Sequence, residues 1–173
     1  MKIGFLKIVF LCFLLLFVLS QNSVQAANSF DVVINEIAWM GTAASTADEW
    51  IELYNNTNSP IDFAGWRLVA ADGTPQINLA GTVPANGFYL LERTNDNTLP
   101  DIVADQFYSG ALGNPGENLS LYDNTGSLID QINFSGGWPA GNNETKRTME
   151  RKNSQASGND AQNWQTSQNP GGT

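Results

Sequence analysis

The sequence predicts an all-β domain preceded by a cleavable signal peptide. After residue 26, short runs rich in Val, Ile, Leu and aromatic residues alternate with Gly, Asn, Asp and Pro, as in short strands joined by turns. No segment shows sustained helical periodicity. Turn formers at such close spacing favour a β-sandwich or a barrel.

Residues 1–26 have the three parts of a secretory signal peptide. Two lysines give a positive start, an apolar run extends from Ile8 to Leu19, and small residues precede a cleavage site after Ala26. The apolar run has 12 residues, fewer than the roughly 18 that a membrane-spanning helix needs. We therefore expect removal of the leader, no membrane span in the mature chain, and a secreted or cell-surface protein. Retention of the leader as an anchor is the alternative.

The remaining chain has the length of one domain. We assign residues 27–167 to a single, monomeric domain and residues 168–173 to a C-terminal tail or the start of a linker. Two of the eight basic residues lie in the leader but none of the 17 acidic ones does, so the mature net charge is about −11. Because such a surface repels phosphate groups, we expect no nucleic-acid partner.

The mature chain lacks two residue types on which much enzyme chemistry depends. It has no histidine, and its single cysteine, Cys12, lies in the leader. Disulfides, zinc sites built on Cys or His, thiolate nucleophiles and imidazole bases are therefore excluded from the mature domain. Any catalysis would have to use carboxylates, Lys, Tyr or Ser.

Eight strands are predicted along the mature chain. They are residues 31–38, 49–55, 66–71, 76–79, 87–93, 118–123, 128–134 and 147–152. Residues 94–115 form a longer irregular segment, which is either a ligand-facing loop or a plain crossover between sheets. The polar segment from Asn153 onward contains Trp164, which we expect to dock on the core, and its final NPGGT is too turn-like for a strand.

Several segments together resemble the lamin-tail domain as it occurs in secreted bacterial proteins. The segments are VVINEIAWMG, DEWIELYNNTNSPIDFAGWRL, GFYLLER, TMERKN and NWQTSQNPGGT, which span about Val32 to Thr173. Their most specific parts are the Asn35-Glu36 pair, the strand from Glu49 to Leu53, and the turn that ends in Gly65-Trp66.

The resemblance implies an immunoglobulin-like β-sandwich that acts as a non-catalytic binding or anchoring module. The implied partner is an unidentified protein or cell-envelope component. The family-motif residues, which are also the candidate binding residues, are Asn35, Glu36, Trp39, Glu49, Trp50, Glu52, Asn55, Gly65, Trp66 and Arg151. Two alternatives are an accessory or spacer domain of a longer secreted or surface protein and a carboxylate-dependent hydrolase.

The carboxylates of residues 36–52 are the only candidates for such a hydrolase site. Side chains alternate between the two faces of a strand, so Ile51 and Leu53 would face the core and Trp50, Glu52 and Tyr54 the opposite, partly wet side. If the first two strands are neighbours, Glu36 and Glu52 would approach each other and one of their pKa values would rise. We favour structural roles for these carboxylates over catalysis, either bonding to loop amides or pairing with Arg67 or Arg151.

No catalytic residue, metal ligand or cofactor is assigned. Ca²⁺ is left open, because the candidate oxygen ligands, Asp48 with Glu49, residues 95–97 with Asp101, and residues 123–124, do not follow the spacing of a known Ca²⁺ loop. Asp and Asn in turns more often bond to their own backbone.

Two further segments are interpreted as structural. The basic segment KRTMERK, residues 146–152, is predicted to form a solvated edge strand, with Arg151 in an internal ion pair. Trp39 and Met40 are expected to cap the core rather than to form an exposed apolar patch.

Overall fold

The computed structural model describes residues 26–99 and 101–171. Within those residues the chain forms strands and one 3₁₀ helix, Ala161–Asn163. In chain order the strands are β1 (Val32–Ala38), β2 (Trp50–Asn55), β3 (Ile61–Asp62), β4 (Arg67–Ala70), β5 (Gln76–Asn78), β6 (Thr82–Val83), β7 (Phe88–Arg93), β8 (Gln106–Tyr108), β9 (Asn118–Tyr122), β10 (Leu128–Asn133), β11 (Arg147–Arg151) and β12 (Trp164–Pro170). The predicted all-β fold class is confirmed.

Two sheets form an immunoglobulin-like sandwich. The larger sheet has six strands in the order β12-β11-β1-β2-β7-β8, and the smaller has four in the order β10-β9-β4-β5. Neighbouring strands are antiparallel except β7 and β8, which are parallel. A short ribbon of β3 and β6 completes the fold.

The core lies between the two sheets and is apolar. Ile51 and Leu53 of β2 are fully buried, as the alternation in that strand predicted, and Leu68 and Leu121 are equally buried on the opposite sheet. Each such side chain contributes roughly 1.5–3 kcal/mol through burial. Burial of this extent can hold the domain together without disulfides.

A buried ion pair joins the two sheets at the point where β1 is no longer paired with β11. Arg151 Nη1 of β11 lies 2.6 Å from Asp130 Oδ2 of β10, and both side chains are inaccessible to solvent. The same pair bonds the main chain of Ile34 in β1: Ile34 N donates to Asp130 at 2.9 Å, and Arg151 donates to Ile34 O at 3.0 Å. β1 pairs with β11 only around Glu36 and Ile37. The side chains of Asp130 and Arg151 therefore give the main chain of Ile34 the hydrogen-bond partners that a neighbouring strand would otherwise provide.

A β-bulge in β1 lies directly beside this ion pair. The register of β1 against β2 shifts between Ile34 and Glu36, so Asn35 is the extra residue. The position of the bulge determines which side chains of β1 reach the outer face of the larger sheet, the face turned away from the smaller sheet.

The eight predicted strands are all present, and each end lies within one residue of its predicted position. The short strands β3, β6 and β8 were not predicted. The expectation that NPGGT is too turn-like for a strand is wrong for Asn169 and Pro170, which end β12; an edge strand tolerates proline. Trp164 is buried as expected. The limits 27–167 and 168–173 of the domain and tail stay predictions.

One prediction for residues 146–152 is wrong and one is confirmed. β11 is not an edge strand, because β1 and β12 pair with it on its two sides, and the edge of the sheet is formed by β12. Arg151 does form an internal ion pair. Its partner is Asp130, however, rather than one of the carboxylates of residues 36–52.

The substitution Arg151→Met should destabilise the domain by about 3–5 kcal/mol, because it leaves the Asp130 carboxylate buried without its counter-charge. Urea unfolding followed by tryptophan fluorescence would measure the loss. The matched control is Lys152→Met, the same type of change at the next, exposed position, which should alter stability by less than about 0.5 kcal/mol. Equal effects of the two substitutions would contradict the structural role of the pair.

Candidate functional site

The outer face of the larger sheet carries a row of carboxylates. Glu36 of β1 lies opposite Glu52 of β2 on one side and opposite Glu150 of β11 on the other. Directly opposed residues in an antiparallel pair have Cβ atoms about 4.5–5.5 Å apart on the same face. The predicted approach of Glu36 to Glu52 is therefore confirmed, and Glu150 is a third member that the sequence analysis did not include.

Glu36 and Glu52 each accept a hydrogen bond from a specific side chain. Asn35, the bulged residue, donates its amide to Glu52 Oε1 at 2.9 Å. Glu36 is buried and accepts a hydrogen bond from the hydroxyl of Thr148. Burial raises the pKa of Glu52; the hydrogen bond from Asn35 opposes that rise and the nearby charge of Glu150 adds to it. Ionising this carboxylate is therefore less favourable in the folded protein than in the unfolded chain.

A cleft of about 180 Å³ opens on the same face beside Glu52. We call it the outer cleft, and its principal lining residues are Trp50, Glu52, Phe88, Leu90, Ile102 and Val103. One wall is supplied by the segment predicted to be either a ligand-facing loop or a crossover, through Leu99, Ile102, Val103 and Asp105. The same segment contains β8 of the larger sheet and leads on to β9 of the smaller one, so it does cross between the sheets. Its contact with a ligand stays a prediction.

Carboxylates fix the loop that forms this wall. Glu92 is fully buried and accepts hydrogen bonds from the amides of Thr98 and Leu99, at 3.4 and 3.1 Å. Asp105, which also lines the cleft, accepts from the amide of Leu90 at 2.8 Å. Burial raises the pKa of Glu92, while its hydrogen bonds to the loop amides lower it.

Trp50 lies on the outer face with Glu52, as expected, and that face is partly wet, since Glu52 and Tyr54 are half-buried. Trp50 itself is not wet, because only 2% of its surface is exposed. Its indole Nε1 has no hydrogen-bond partner among the described residues. A buried indole N–H usually has one. Leaving this buried donor unpaired costs the folded state stability.

Two other motif residues, Glu49 and Asn55, organise loops. Glu49 is buried, accepts from the amide of Leu112 at 2.8 Å and pairs with Arg93 at 3.3 Å, so its predicted bonding to a loop amide is confirmed. Asn55 is fully buried and donates to the carbonyls of Ser59 and Pro84. Burial raises the pKa of Glu49, and the contacts with Leu112 and Arg93 lower it.

The remaining motif residues pack against the core. Gly65 has a φ of +81°, a conformation that favours glycine, and a Cβ there would lie 2.9 Å from the Cβ of Asn124. Trp66 is buried against Phe63, with ring centroids 5.2 Å apart. Trp39 is buried and stacks on Trp138 at 6.0 Å, so the predicted capping role is confirmed.

Several of the candidate calcium ligands bond within the protein. Asp123 accepts hydrogen bonds from Thr125 and Ser127 within its own turn, and Asp48 accepts from the hydroxyl of Thr42. Among the described residues, no group of three or more His, Cys, Asp or Glu residues is arranged to hold a metal ion. Within residues 26–99 and 101–171, no helix is long and apolar enough to cross a membrane.

The motif residues therefore do not converge on one reactive site. Glu52 and Trp50 line the outer cleft, while Glu36, the other carboxylate of the predicted pair, is not among its lining residues. Asn35 and Arg151 line an adjoining cleft of about 280 Å³, which shares Phe88 with the outer cleft. Ile102 and Val103 belong to no motif, and Phe88 lies in the segment GFYLLER but was not among the candidate binding residues. Only the exposure of these three side chains in the folded protein identifies them.

Comparison with known proteins supports the resemblance to the lamin-tail domain. The family described as Lamin Tail Domain matches residues 25–136, about two-thirds of the chain. The matched region includes β1 to β10 and ends before β11 and β12. No curated protein matches the chain.

The substitution Glu52→Gln should raise stability at neutral pH. Since the folded state raises this pKa, it binds the proton more readily than the unfolded chain does, and wild-type stability should fall as pH rises from about 4.5 through the folded-state pKa. Glutamine removes that loss and still accepts the hydrogen bond from Asn35. Denaturant unfolding at a series of pH values would show the difference growing with pH.

Glu144→Gln, in an exposed loop, is the matched control and should leave the pH profile of stability unchanged. A difference between Glu52→Gln and wild type that does not vary with pH would contradict this account of Glu52.

Proposed function

Because the chain belongs to the lamin-tail-domain family, we propose that it works outside the cytoplasm as a binding or anchoring module. The family is an immunoglobulin-like, non-enzymatic domain family, and the sandwich of a six-stranded and a four-stranded sheet has the corresponding architecture. The signal-peptide pattern of residues 1–26 supports a secreted or cell-surface location. The proposed partner is a protein or another component of the cell envelope.

The observation that carries the proposal is the exposed apolar surface around the outer cleft. Phe88, Ile102 and Val103 are 53%, 52% and 77% exposed. Large apolar side chains that cluster on the surface mark interaction sites in soluble proteins. The core does not need these side chains, since the interior is filled by other residues.

The geometry gives little support to a carboxylate-dependent hydrolase. A glycosidase needs two carboxyl groups that face each other across a bound sugar, about 5–10 Å apart within one cleft. Glu36 is buried against Thr148 and does not line the cleft that contains Glu52. The two carboxylates lie side by side on one sheet rather than on opposite walls.

The binding proposal is tested by a pull-down with the purified protein against solubilised cell-envelope fractions, with Ca²⁺ and with a chelator. We expect one or more envelope components to be enriched relative to an acidic immunoglobulin-like domain of unrelated sequence. Equal recovery in both conditions would make the interaction independent of Ca²⁺. Absence of enrichment in both would contradict the proposal.

A further inference from the structure

The outer cleft combines an apolar rim with a negative wall. Phe88, Ile102 and Val103 form the exposed rim. Glu52 and Asp105 lie in the same lining, and the row of carboxylates continues from Glu52 across β1 and β11. A ligand that fits this surface needs an apolar part and a positive part side by side.

The size of the outer cleft limits what it can enclose. Its volume of about 180 Å³ is below the roughly 300–1,000 Å³ typical of sites that bury a whole small molecule. One or two side chains from a larger partner suit this space better.

Charge excludes several occupants. In a symmetric pair of copies joined through this face, Glu52 and Asp105 would meet the same carboxylates of the other copy. Anionic polymers and anionic lipid surfaces would be repelled for the same reason. A neutral glycan could stack on the Tyr54 and Phe88 rings, whose centroids are 4.9 Å apart, but it would leave Ile102 and Val103 without an apolar partner.

We propose that the outer cleft binds a cationic peptide segment of a partner protein, with an apolar side chain against Phe88, Ile102 and Val103 and a lysine or arginine at Glu52. The proposal rests on the binding function proposed above and names the chemistry of the ligand. The apolar contact supplies affinity through desolvation, and the carboxylates select the positive charge. Burial of Glu52 strengthens its interaction with a cation, because the local dielectric constant is lower than that of water.

The probe is a synthetic, blocked hexapeptide of alternating leucine and arginine with a fluorescent label, titrated with the purified full chain and followed by anisotropy. One control peptide replaces arginine by citrulline, which keeps the shape and removes the charge. A second replaces leucine by serine. We expect both controls to bind at least about tenfold more weakly than the probe, and raising the salt concentration to weaken probe binding.

Two variants localise binding to the outer cleft. Val103→Ser changes a side chain that is 77% exposed and should not disturb folding, and Glu52→Gln retains the hydrogen bond from Asn35. Each should weaken probe binding by about fivefold or more. The matched controls are Leu128→Ser, at a side chain 45% exposed on β10 of the other sheet, and Glu144→Gln; both should bind like wild type.

Three results would overturn the proposal: no binding of the probe, equal binding of the citrulline peptide, or binding that is insensitive to both Val103→Ser and Glu52→Gln. Binding of a neutral chitin oligosaccharide in competition with the probe would also overturn it, in favour of a glycan site. If envelope components are still enriched when the peptide fails to bind, only the peptide proposal is wrong and the general binding function stands.

Discussion

The buried contact between Arg151 and Asp130 is the constraint on which the arrangement of this domain depends. It joins β11 to β10 across the two sheets, and it supplies both hydrogen-bond partners for the main chain of Ile34. With those groups occupied, the first half of β1 can separate from β11 while its second half remains paired. The bulge next to Ile34 then places Asn35 beside Glu52. The ion pair that joins the two sheets thus also helps to set the position of Asn35 and Glu52 on the outer face.

The strands that the sequence predicts are those with a strong apolar pattern. Ile51 and Leu53 could be assigned to the core because alternation and burial agree in β2. β12 was missed because its side chains are mostly polar, and its pairing with β11 is held by main-chain hydrogen bonds that no composition rule detects. Local sequence pattern therefore predicts the buried strands well and the polar edge strand poorly.

The candidate site was predictable only in part. The proximity of Glu36 and Glu52 follows from strand alternation and from the pairing of consecutive strands. The partner of Arg151 does not, since Asp130 lies 21 positions away on the other sheet. The outer cleft could not be predicted either, because it exists only when Leu99, Ile102 and Val103 fold against β2 and β7. The family motif identifies residues that build the fold, such as Asn55 and Trp66, better than residues that contact a partner.

The polar character of β12 has a consequence for the protein at high concentration. An open sheet edge is a template on which the strand of another chain can add, and long apolar edges cause aggregation. Here one edge is β12, which exposes Gln165, Gln168 and Asn169 and ends in Pro170, a residue with no amide hydrogen to donate; the other is β8, with only three residues. The larger sheet is thereby protected at both ends against growth by strand addition. It can present an exposed apolar surface on its face without becoming a nucleus for fibrils.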